Sequence, residues 1–254
     1  MIDGKPSRPS RPPCVECGNL TVRCRNGATA LSRVSFRLGR GSAALLGVNG
    51  AGKTTLMQVL ATLRLPDAGS VSLDGHDALS PAGRDAVLGS LGYLPQRFTL
   101  LESATVFDNV RYAAWAHGVP SGDVDGAATR AIDVVGLSRE RTRRARSLSG
   151  GQRHRLALAC ATAHRPSILL LDEPMAGLDP LHRARIREGL RRIATSAAVL
   201  FSTHVIDESV THADHLLILS AGRLVFDETP DRLSSVPGSA PAVADIERFL
   251  KEHL

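Results

Sequence analysis

Residues 47–55 are the stretch whose residue types and spacing point most directly to chemistry. They read Gly-Val-Asn-Gly-Ala-Gly-Lys-Thr-Thr and fit the pattern G-x-x-x-x-G-K-[ST]. Glycines allow successive main-chain N–H groups to turn inward and approach phosphate oxygens closely. An apolar run at 43–46 and helix-favouring residues at 56–61 give the strand, loop and helix that this pattern requires. The sequence therefore predicts a phosphate-binding loop.

The side chains of this loop have separate predicted roles. Lys53 adds a positive charge for the β- and γ-phosphates, and Thr54 offers a hydroxyl ligand to Mg²⁺. The helix that follows points the positive end of its dipole at the same anion. A glycine-rich turn without a ligand is the alternative, but it gives no reason for the Lys-Thr pair. A nucleotide bound by this loop is also expected to contact Asn49, Gly50, Ala51, Gly52 and Thr55.

A second group of candidate residues follows two apolar runs later in the chain. Asp172 and Glu173 come directly after residues 168–171, a run typical of a parallel strand buried on both faces. In open α/β sheets, ligands bind beyond the carboxyl ends of the strands. Asp172 suits Mg²⁺, directly or through water, and Glu173 is placed to polarise an attacking water. His204 follows another predicted strand, although a lone histidine is more often structural.

Apolar patterning and turn residues predict the elements that position these groups. Strands of a small antiparallel sheet are predicted at 20–22, 34–38 and 71–73. Further strands are predicted at 91–94, 168–171, 197–201, 215–219 and 224–226. Helices are predicted at 106–116, 124–135, from Ser149 to about 165, at 181–193, at 206–213 and at 243–254. The repeated strand-then-helix order predicts a mainly parallel α/β core.

Length, composition and charge limit the classes of protein. A chain of 254 residues suits one domain with a subdomain. We expect a cytosolic protein, because no apolar run approaches the roughly 20 residues of a membrane span and residues 1–13 lack a signal-peptide core. The formal net charge is +6, and nearly all of the positively charged side chains are Arg. A surface for nucleic acid or anionic lipid would explain it, but the interspersed acidic residues favour a simply Arg-rich composition.

The four cysteines are Cys14, Cys17, Cys24 and Cys160. The Cys14-x-x-Cys17 pair lacks a second ligand pair for zinc and lacks the βαβ context of a redox motif. We therefore expect reduced, solvent-accessible thiols in a flexible segment at the start of the chain.

Six elements in one order resemble the ATP-binding subunits of ABC transporters and are spread from about Leu20 to Pro230. They are Walker A (47–54), the Q-loop glutamine (Gln96), the family signature (148–152), Walker B with its glutamate (168–173), the D-loop (177–179) and the switch histidine (His204). The signature is the most specific single match. The resemblance implies an α/β fold with a P-loop NTPase core, a mainly parallel sheet, an antiparallel β subdomain and an inserted α-helical subdomain.

The resemblance also implies an organisation of the chain. The expected parts are a disordered or loosely packed tail at 1–18, an ABC ATPase domain at 19–230 and a short tail with a helix at 231–254. The helical subdomain is expected at about 97–163.

The resemblance implies ATP and Mg²⁺ as cofactors and two subunits that meet head to tail around ATP. Ser149, Gly150 and Gly151 of one subunit would close over the γ-phosphate held by Lys53 of the other. Glu173 and His204 would then drive hydrolysis. Further nucleotide contacts are expected from Gln152, Asp179 and Gln96, with Gln96 also near the metal.

The implied partners are a membrane-spanning transporter subunit and a paired ATPase subunit, either a second copy or another chain. No nucleic acid partner is expected. Such a protein would lie peripherally on the cytoplasmic face of the cell membrane, and Gln96 would link its nucleotide site to the membrane partner.

Two finer features qualify the resemblance. Cys24 stands where the family usually places an aromatic residue that stacks on adenine, so we expect weakened stacking, with Cys24 near the ring edge. Residues 93–96, 105–108 and 177–180, with the short C-terminal tail, resemble bacterial ABC-2-type exporters of drugs, antibiotics, polysaccharides or lipids. The competing interpretations are a soluble ABC ATPase acting on a non-transport macromolecule and, less favoured, a P-loop kinase.

Overall fold

The computed structural model describes residues 14–24, 27–236 and 238–253. Its strands are β1 (Val15–Arg23), β2 (Thr29–Leu38), β3 (Gly41–Leu46), β4 (Ala68–Leu73), β5 (His76–Asp77), β6 (Leu91–Leu94), β7 (Ile168–Asp172), β8 (Ala198–Thr203), β9 (His215–Ser220) and β10 (Arg223–Glu228). Its helices are α1 (Lys53–Leu60), α2 (Pro81–Leu88), α3 (Val106–Ala116), α4 (Val124–Val134), α5 (Gly150–Thr162), α6 (Pro180–Ala194), α7 (Glu208–Thr211) and α8 (Val243–His253). Among the helices in these ranges, none combines the length and the hydropathy of a membrane-spanning segment.

A six-stranded sheet in the order β10-β9-β3-β8-β7-β6 forms the centre of the fold, and only β10 runs antiparallel. Every residue of β7 is buried, as expected for a parallel strand covered on both faces. Leu46 pairs with Thr203, and Asp172 pairs with Ser202. The carboxyl ends of β3, β7 and β8 therefore meet at one edge of the sheet, as the sequence predicts.

Alternate residues of β7 face two different cores, since strand side chains alternate between faces. Leu169 and Leu171 belong to the cluster that contains α3, α4 and α5, whereas Ile168 and Leu170 belong to the cluster that contains the second sheet and α1. The helical subdomain and the antiparallel sheet thus lie on opposite faces of the central sheet.

The second sheet has the order β2-β1-β4-β5 and is antiparallel. It begins earlier than predicted, because β1 starts at Val15 inside the expected tail of residues 1–18. Val15 pairs with both Leu38 and Leu73 at the centre of this sheet. Residues 1–13 of the predicted tail lie outside the described residues.

The prediction that Cys14 and Cys17 are solvent-accessible was wrong. Both are buried and belong to the core under the second sheet: Cys14 directly precedes β1, and Cys17 lies on β1 between half-buried positions. Cysteine behaves there as a small apolar side chain. Burial raises the pKa of the Cys17 thiol to about 12. Burial is also the main cause that raises the pKa of Cys14, with the nearby Asp74 carboxylate adding to it.

Helix boundaries follow the capping residues. The capping box of Thr105 and Asp108 starts α3, and that of Ser149 and Gln152 starts α5. The predicted helix at 206–213 is shorter in the structure, because Asp207 caps α7 and the helix spans only Glu208–Thr211. Helix α2 was not predicted, although Ser80 caps it and Pro81 occupies its first position, a recognisable start signal.

Candidate active site

The loop between β3 and α1 is fixed by close main-chain approaches. Gly50 and Gly52 have φ of 84° and 108°, in the left-handed region that favours glycine. A Cβ atom on Gly52 would lie 2.5 Å from the Ala30 carbonyl oxygen, and one on Gly47 would lie 2.5 Å from that of Leu219. The loop is therefore held between β2 and β9 with no room for side chains at these two positions.

Lys53 begins α1 and is 7% exposed. Its Nζ donates hydrogen bonds to the carbonyl oxygens of Gly47 (2.6 Å) and Val48 (3.2 Å), which holds the ammonium group inside the curve of the loop. Burial lowers the pKa of Lys53, while the carboxylates of Glu173 and Asp172 oppose that shift. The charge is thus placed between the loop and the two acidic residues at the end of β7.

Ser202 connects Asp172 and Glu173. Its Oγ donates to Asp172 Oδ1 at 2.5 Å and accepts from the Glu173 main-chain N–H at 3.0 Å. Ser202 is completely buried, and Asp172 is 1% exposed. Glu173 has φ of +57°, an uncommon conformation for a residue other than glycine. The hydrogen bond from its N–H to Ser202 helps to hold that conformation.

Glu173 and His204 form a pair at the same edge. Glu173 Oε1 lies 2.8 Å from His204 Nδ1, and Glu173 is 8% exposed. The imidazole of His204 is 48% exposed, so it reaches outward from the sheet. A cavity of about 150 Å³ adjoins the pair and is lined in part by Thr203 and Gly177.

The chemistry of the donor set fits Mg²⁺. The Oδ2 atom of Asp172 is buried and has no hydrogen-bond partner in the part of the chain that the structure describes. Thr54 is exposed in the first turn of α1. Mg²⁺ in nucleotide sites takes one or two protein oxygen ligands and completes its shell with phosphate oxygens and water. The Oδ2 atom of Asp172 and the hydroxyl of Thr54 are oxygen donors of the kind that this ion takes.

The signature residues lie apart from this group. Ser149 and Gly150 are exposed, and Gly151 and Gln152 are half-buried. Ser149 Oγ accepts from the Gln152 N–H at 3.3 Å, and Gln152 Oε1 accepts from the Ser149 N–H at 3.0 Å. Gln152 Nε2 donates to Glu140 Oε1 at 3.2 Å. Among the described residues, no hydrogen bond joins these four to the phosphate-binding loop.

The remaining predicted site residues are Asp179, Gln96 and Cys24. Within the described ranges, none of them is hydrogen-bonded to Lys53. Asp179 caps α6, and its carboxylate accepts from the His182 N–H at 3.1 Å and pairs with the His182 ring, which lowers the pKa of Asp179. Gln96 is exposed two residues after β6 and has no hydrogen bond to any described residue. Cys24 is half-buried just past β1, and its N–H donates to the Ala28 carbonyl at 2.7 Å.

Two residues near Asp172 were missed from the sequence. Ser202 is the only polar residue among positions 198–202, and this interruption of an apolar strand beside His204 was an available signal. Tyr93 lies in β6, next to β7, and its pKa is raised to about 12 by burial and by the Asp172 carboxylate. No sequence signal for Tyr93 exists, because its proximity to Asp172 depends on the pairing of β6 with β7.

Comparison with known proteins gives a consistent result. The model of the ABC transporter family matches residues 31–176. The sulfate/thiosulfate import ATP-binding protein CysA 2 of Chromobacterium violaceum is 37% identical over 83% of this chain and 57% of its own length. The energy-coupling factor transporter ATP-binding protein EcfA1 of Symbiobacterium thermophilum is 37% identical over 79% of this chain and 71% of its own length. The chain thus spans between about half and three quarters of these curated relatives.

Two solved structures resemble the whole fold. One is described as the structure of an ATP-binding subunit of an ABC transporter; it has a TM-score of 0.82 and 26% identity, covering 94% of this chain and 98% of that one. The other is cbiO1 from Clostridium perfringens, described as part of the ABC transporter complex cbiONQ. Its TM-score is 0.77 and its identity 25%, covering 95% of this chain and 96% of that one. The predicted α/β fold is confirmed by these neighbours.

Proposed function

The chain belongs to the ABC transporter family of ATP-binding domains, and from this premise we propose that it binds and hydrolyses ATP to power a membrane transporter. One observation carries the proposal: Lys53, Asp172, Glu173, Ser202 and His204 converge at the edge of the sheet where β3, β7 and β8 end. The family match and the transport-related names of the relatives support the same proposal.

In this proposal, the loop and Lys53 bind the phosphates of ATP. Main-chain N–H groups of the loop and the N-terminus of α1 offer donors to phosphate oxygens, and the buried ammonium group adds charge where water is excluded. Thr54 and Asp172 would hold Mg²⁺, which supplies positive charge to the β- and γ-phosphate oxygens. The remaining groups of the loop, Asn49 to Gly52 and Thr55, then position the triphosphate.

In this proposal, Glu173 and His204 promote the hydrolysis step. The Glu173 carboxylate accepts a proton from a water molecule as the water oxygen attacks the γ-phosphorus and the bond to the β-phosphate oxygen breaks, releasing ADP and phosphate. His204 holds the Glu173 carboxylate through the 2.8 Å contact, and Ser202 fixes its main chain. The exposed part of the imidazole is free to contact the γ-phosphate.

The closing side of the site comes from a second subunit in this proposal. Ser149 and the start of α5 face solvent, and a helix N-terminus with a hydroxyl is suited to an oxyanion. A head-to-tail pair would bring Ser149, Gly150, Gly151 and Gln152 of one subunit to the γ-phosphate held by the other, with Asp179 nearby. Gln96 would then connect the site and its metal to a membrane-spanning subunit at the cytoplasmic face.

Transport direction and cargo are narrower questions than ATPase function. The prediction of an exporter finds no support in the relatives, because CysA 2 and other similar proteins are named as import proteins. We therefore propose a transport ATPase subunit whose cargo and direction are set by its membrane partner. Co-purification with a membrane-spanning protein tests this part, and a chain that never associates with one would contradict it.

Substitution Glu173→Gln tests the ATPase proposal. The amide cannot accept the water proton, so turnover is expected to fall at least about 100-fold while ATP binding persists. ATP should then hold a stable dimer that size-exclusion chromatography detects. Glu228→Gln, at an exposed carboxylate that ends β10, is the matched control and should leave turnover unchanged. Turnover of the Glu173 variant within twofold of wild type would contradict the proposal.

A further inference from the structure

A cavity of about 370 Å³, the three-helix cavity, lies between Ala131 of α4, Pro166 after α5 and Ile193 of α6. Pro166 comes two residues before β7, so the cavity is at the amino end of this strand. Asp172 is at the carboxyl end of the same strand. At a rise of about 3.3 Å per residue, β7 places roughly 16–20 Å between the cavity and the candidate active site. The three-helix cavity is therefore separate from the nucleotide site.

Apolar side chains form much of the wall of the three-helix cavity. Ala127 and Ala131 of α4 and Ala163 after α5 are buried, and Ile193 of α6 is half-buried. Val134 of α4 also lines the cavity, and it remains 44% exposed. Small-molecule sites are usually cavities of roughly 300–1,000 Å³ with mainly apolar walls and a few polar groups. The three-helix cavity has the volume and the walls of such a site.

The charged groups of the three-helix cavity are all positive. Arg130 of α4, Arg165 after α5 and Arg192 of α6 line it, and no acidic side chain of the described ranges does. Arg192 Nε donates to Glu188 Oε1 at 3.0 Å. Arg130 and Arg165 have no side-chain hydrogen bond or ion pair with any described residue. Two guanidinium groups are therefore available to an anion, and each offers the planar pair of donors that suits a carboxylate.

Arg165 occupies a position where the main chain favours glycine. Its φ is +55°, in the left-handed region, and its N–H donates to the Thr162 carbonyl at 3.1 Å to close the turn after α5. Arg165 is exposed, so core packing gives no reason for a long side chain at this position. Main-chain strain of this kind is retained chiefly where function requires it. The strained turn sets a guanidinium group beside the three-helix cavity.

A second cavity provides a contrast. It has a volume of about 570 Å³ and is lined by Arg33, Arg223 and Asp227, among others. The Asp227 carboxylate balances part of the positive charge in this cavity, and its Oδ1 lies 2.6 Å from His215 Nε2. The second cavity thus has two arginines, as a matched control needs, but also the carboxylate that the three-helix cavity lacks.

We propose that the three-helix cavity binds a small amphipathic organic anion. Its carboxylate or sulfonate lies between Arg130 and Arg165, and its apolar body packs against Ala131 and Ile193. The apolar walls remove the body from water, and the guanidinium groups select for negative charge. One turn of a helix about 10 Å wide and 5.4 Å high occupies roughly 420 Å³. The cavity volume of about 370 Å³ therefore suits a small molecule better than a folded element of a protein partner. The proposed site does not depend on ATPase function.

The test is a fluorescence titration of the full chain with 8-anilinonaphthalene-1-sulfonate, which joins a sulfonate to an aromatic body. Saturating ADP is present throughout, so that the probe cannot report the nucleotide site. The double substitution Arg130→Gln and Arg165→Gln is expected to raise the Kd for the probe at least about tenfold. Arg130→Lys with Arg165→Lys keeps the charge and should keep the Kd within about threefold. Arg33→Gln with Arg223→Gln removes the same charge from the second cavity and should leave the Kd unchanged.

Competition identifies the class of ligand. Octanoate should displace the probe, whereas octanol, which has the same chain length and no charge, should not. Displacement by a polyglutamate peptide but not by octanoate would overturn the proposal, because the site would then take an acidic protein segment.

Three results of the titration would also overturn the proposal. They are absence of probe binding to the wild-type chain, an unchanged Kd in the Arg130 and Arg165 glutamine variant, and an equal rise of Kd in the Arg33 and Arg223 variant. Circular dichroism shows whether each variant is folded. If the double glutamine variant does not fold, Arg130→Gln alone decides, with an expected rise of Kd of about threefold and with an unchanged Kd contradicting the proposal.

Discussion

The two predicted halves of the nucleotide site differ in how their polar groups are held. Around the phosphate-binding loop, Lys53, Asp172 and Glu173 are buried, and hydrogen bonds to Gly47, Ser202 and His204 hold them in place. At the signature, Ser149 and Gly150 are exposed, and the hydrogen bonds of this segment stay within its own helix start or reach only Glu140.

This difference has a physical consequence. The buried half is preorganised, so it can hold a charged ligand without further ordering. In the exposed half, the N–H groups of Gly150 and Gly151 have no acceptor in the described part of the chain, as expected for the first donors of a helix. Such groups are available to a ligand held by another molecule. This difference supports a nucleotide site that is complete only where the loop half of one subunit faces the signature half of another.

Mixing two inactive variants gives the largest expected effect. Lys53→Ala should remove phosphate binding, and Ser149→Arg should block the closing side with a bulky side chain, so each variant alone should lose ATP turnover at least about 100-fold. In an equal mixture, half of the dimers carry one intact composite site. Turnover should then return to about a quarter of the wild-type rate if dimers pair at random and one site suffices.

Ser80→Arg is the control for the loss of a helix cap. Ser80 caps α2 as Ser149 caps α5, with Oγ accepting from the Gly83 N–H at 3.1 Å, but it lies outside both halves of the site. This variant should lose stability and keep its turnover per folded molecule. A mixture of Lys53→Ala and Ser149→Arg that stays inactive, although mixed dimers form, would contradict the division into two halves.

Ser202→Ala probes the preorganisation of the buried half. The substitution leaves the Glu173 N–H and Asp172 Oδ1 without their buried partner, which should lower the free energy of unfolding by about 1–3 kcal/mol. Residues that orient metal ligands affect metal affinity strongly, so the Mg²⁺ concentration for half-maximal turnover should rise about tenfold. Thermal unfolding and Mg²⁺ titration of ATP turnover measure the two effects.

Ser42→Ala is the matched control for this substitution. Ser42 Oγ donates to Asp214 Oδ2 at 2.8 Å, also a Ser–Asp hydrogen bond, but at the amino end of the same sheet and near the surface. Its removal should cost less than about 1 kcal/mol, because water can replace the partner. The Mg²⁺ dependence should not change. If the Mg²⁺ concentration for half-maximal turnover rose equally in both variants, Ser202 would have no specific role at the metal site.

The sequence predicted those parts of the fold whose signals are local. Helix α3 lies at residues 106–116 as predicted, because the Thr105–Asp108 capping box and the apolar spacing are both readable in the sequence. The bridging role of Ser202 could not be read, since Ser202 is 30 residues from Asp172 along the chain and meets it only through the pairing of β7 and β8. The start of β1 was missed because Cys17 resembled a surface thiol and acts as a core residue.

Substitution Cys24→Tyr tests the predicted adenine end of the nucleotide site and has the smallest expected effect. Cys24 follows β1 in the hairpin whose second strand supplies Ala30, and the Ala30 carbonyl lies against Gly52 of the phosphate-binding loop. A tyrosine here is expected to stack on a nucleobase that extends past the loop. Such a contact contributes about 1 kcal/mol, so the Kd for ATP should fall about fivefold. Titration with ATP measures this, and Cys24→Ser, of similar size, should leave Kd within twofold. Unchanged affinity in Cys24→Tyr would place the base elsewhere, because a flat ring at the true base position cannot leave binding unaltered.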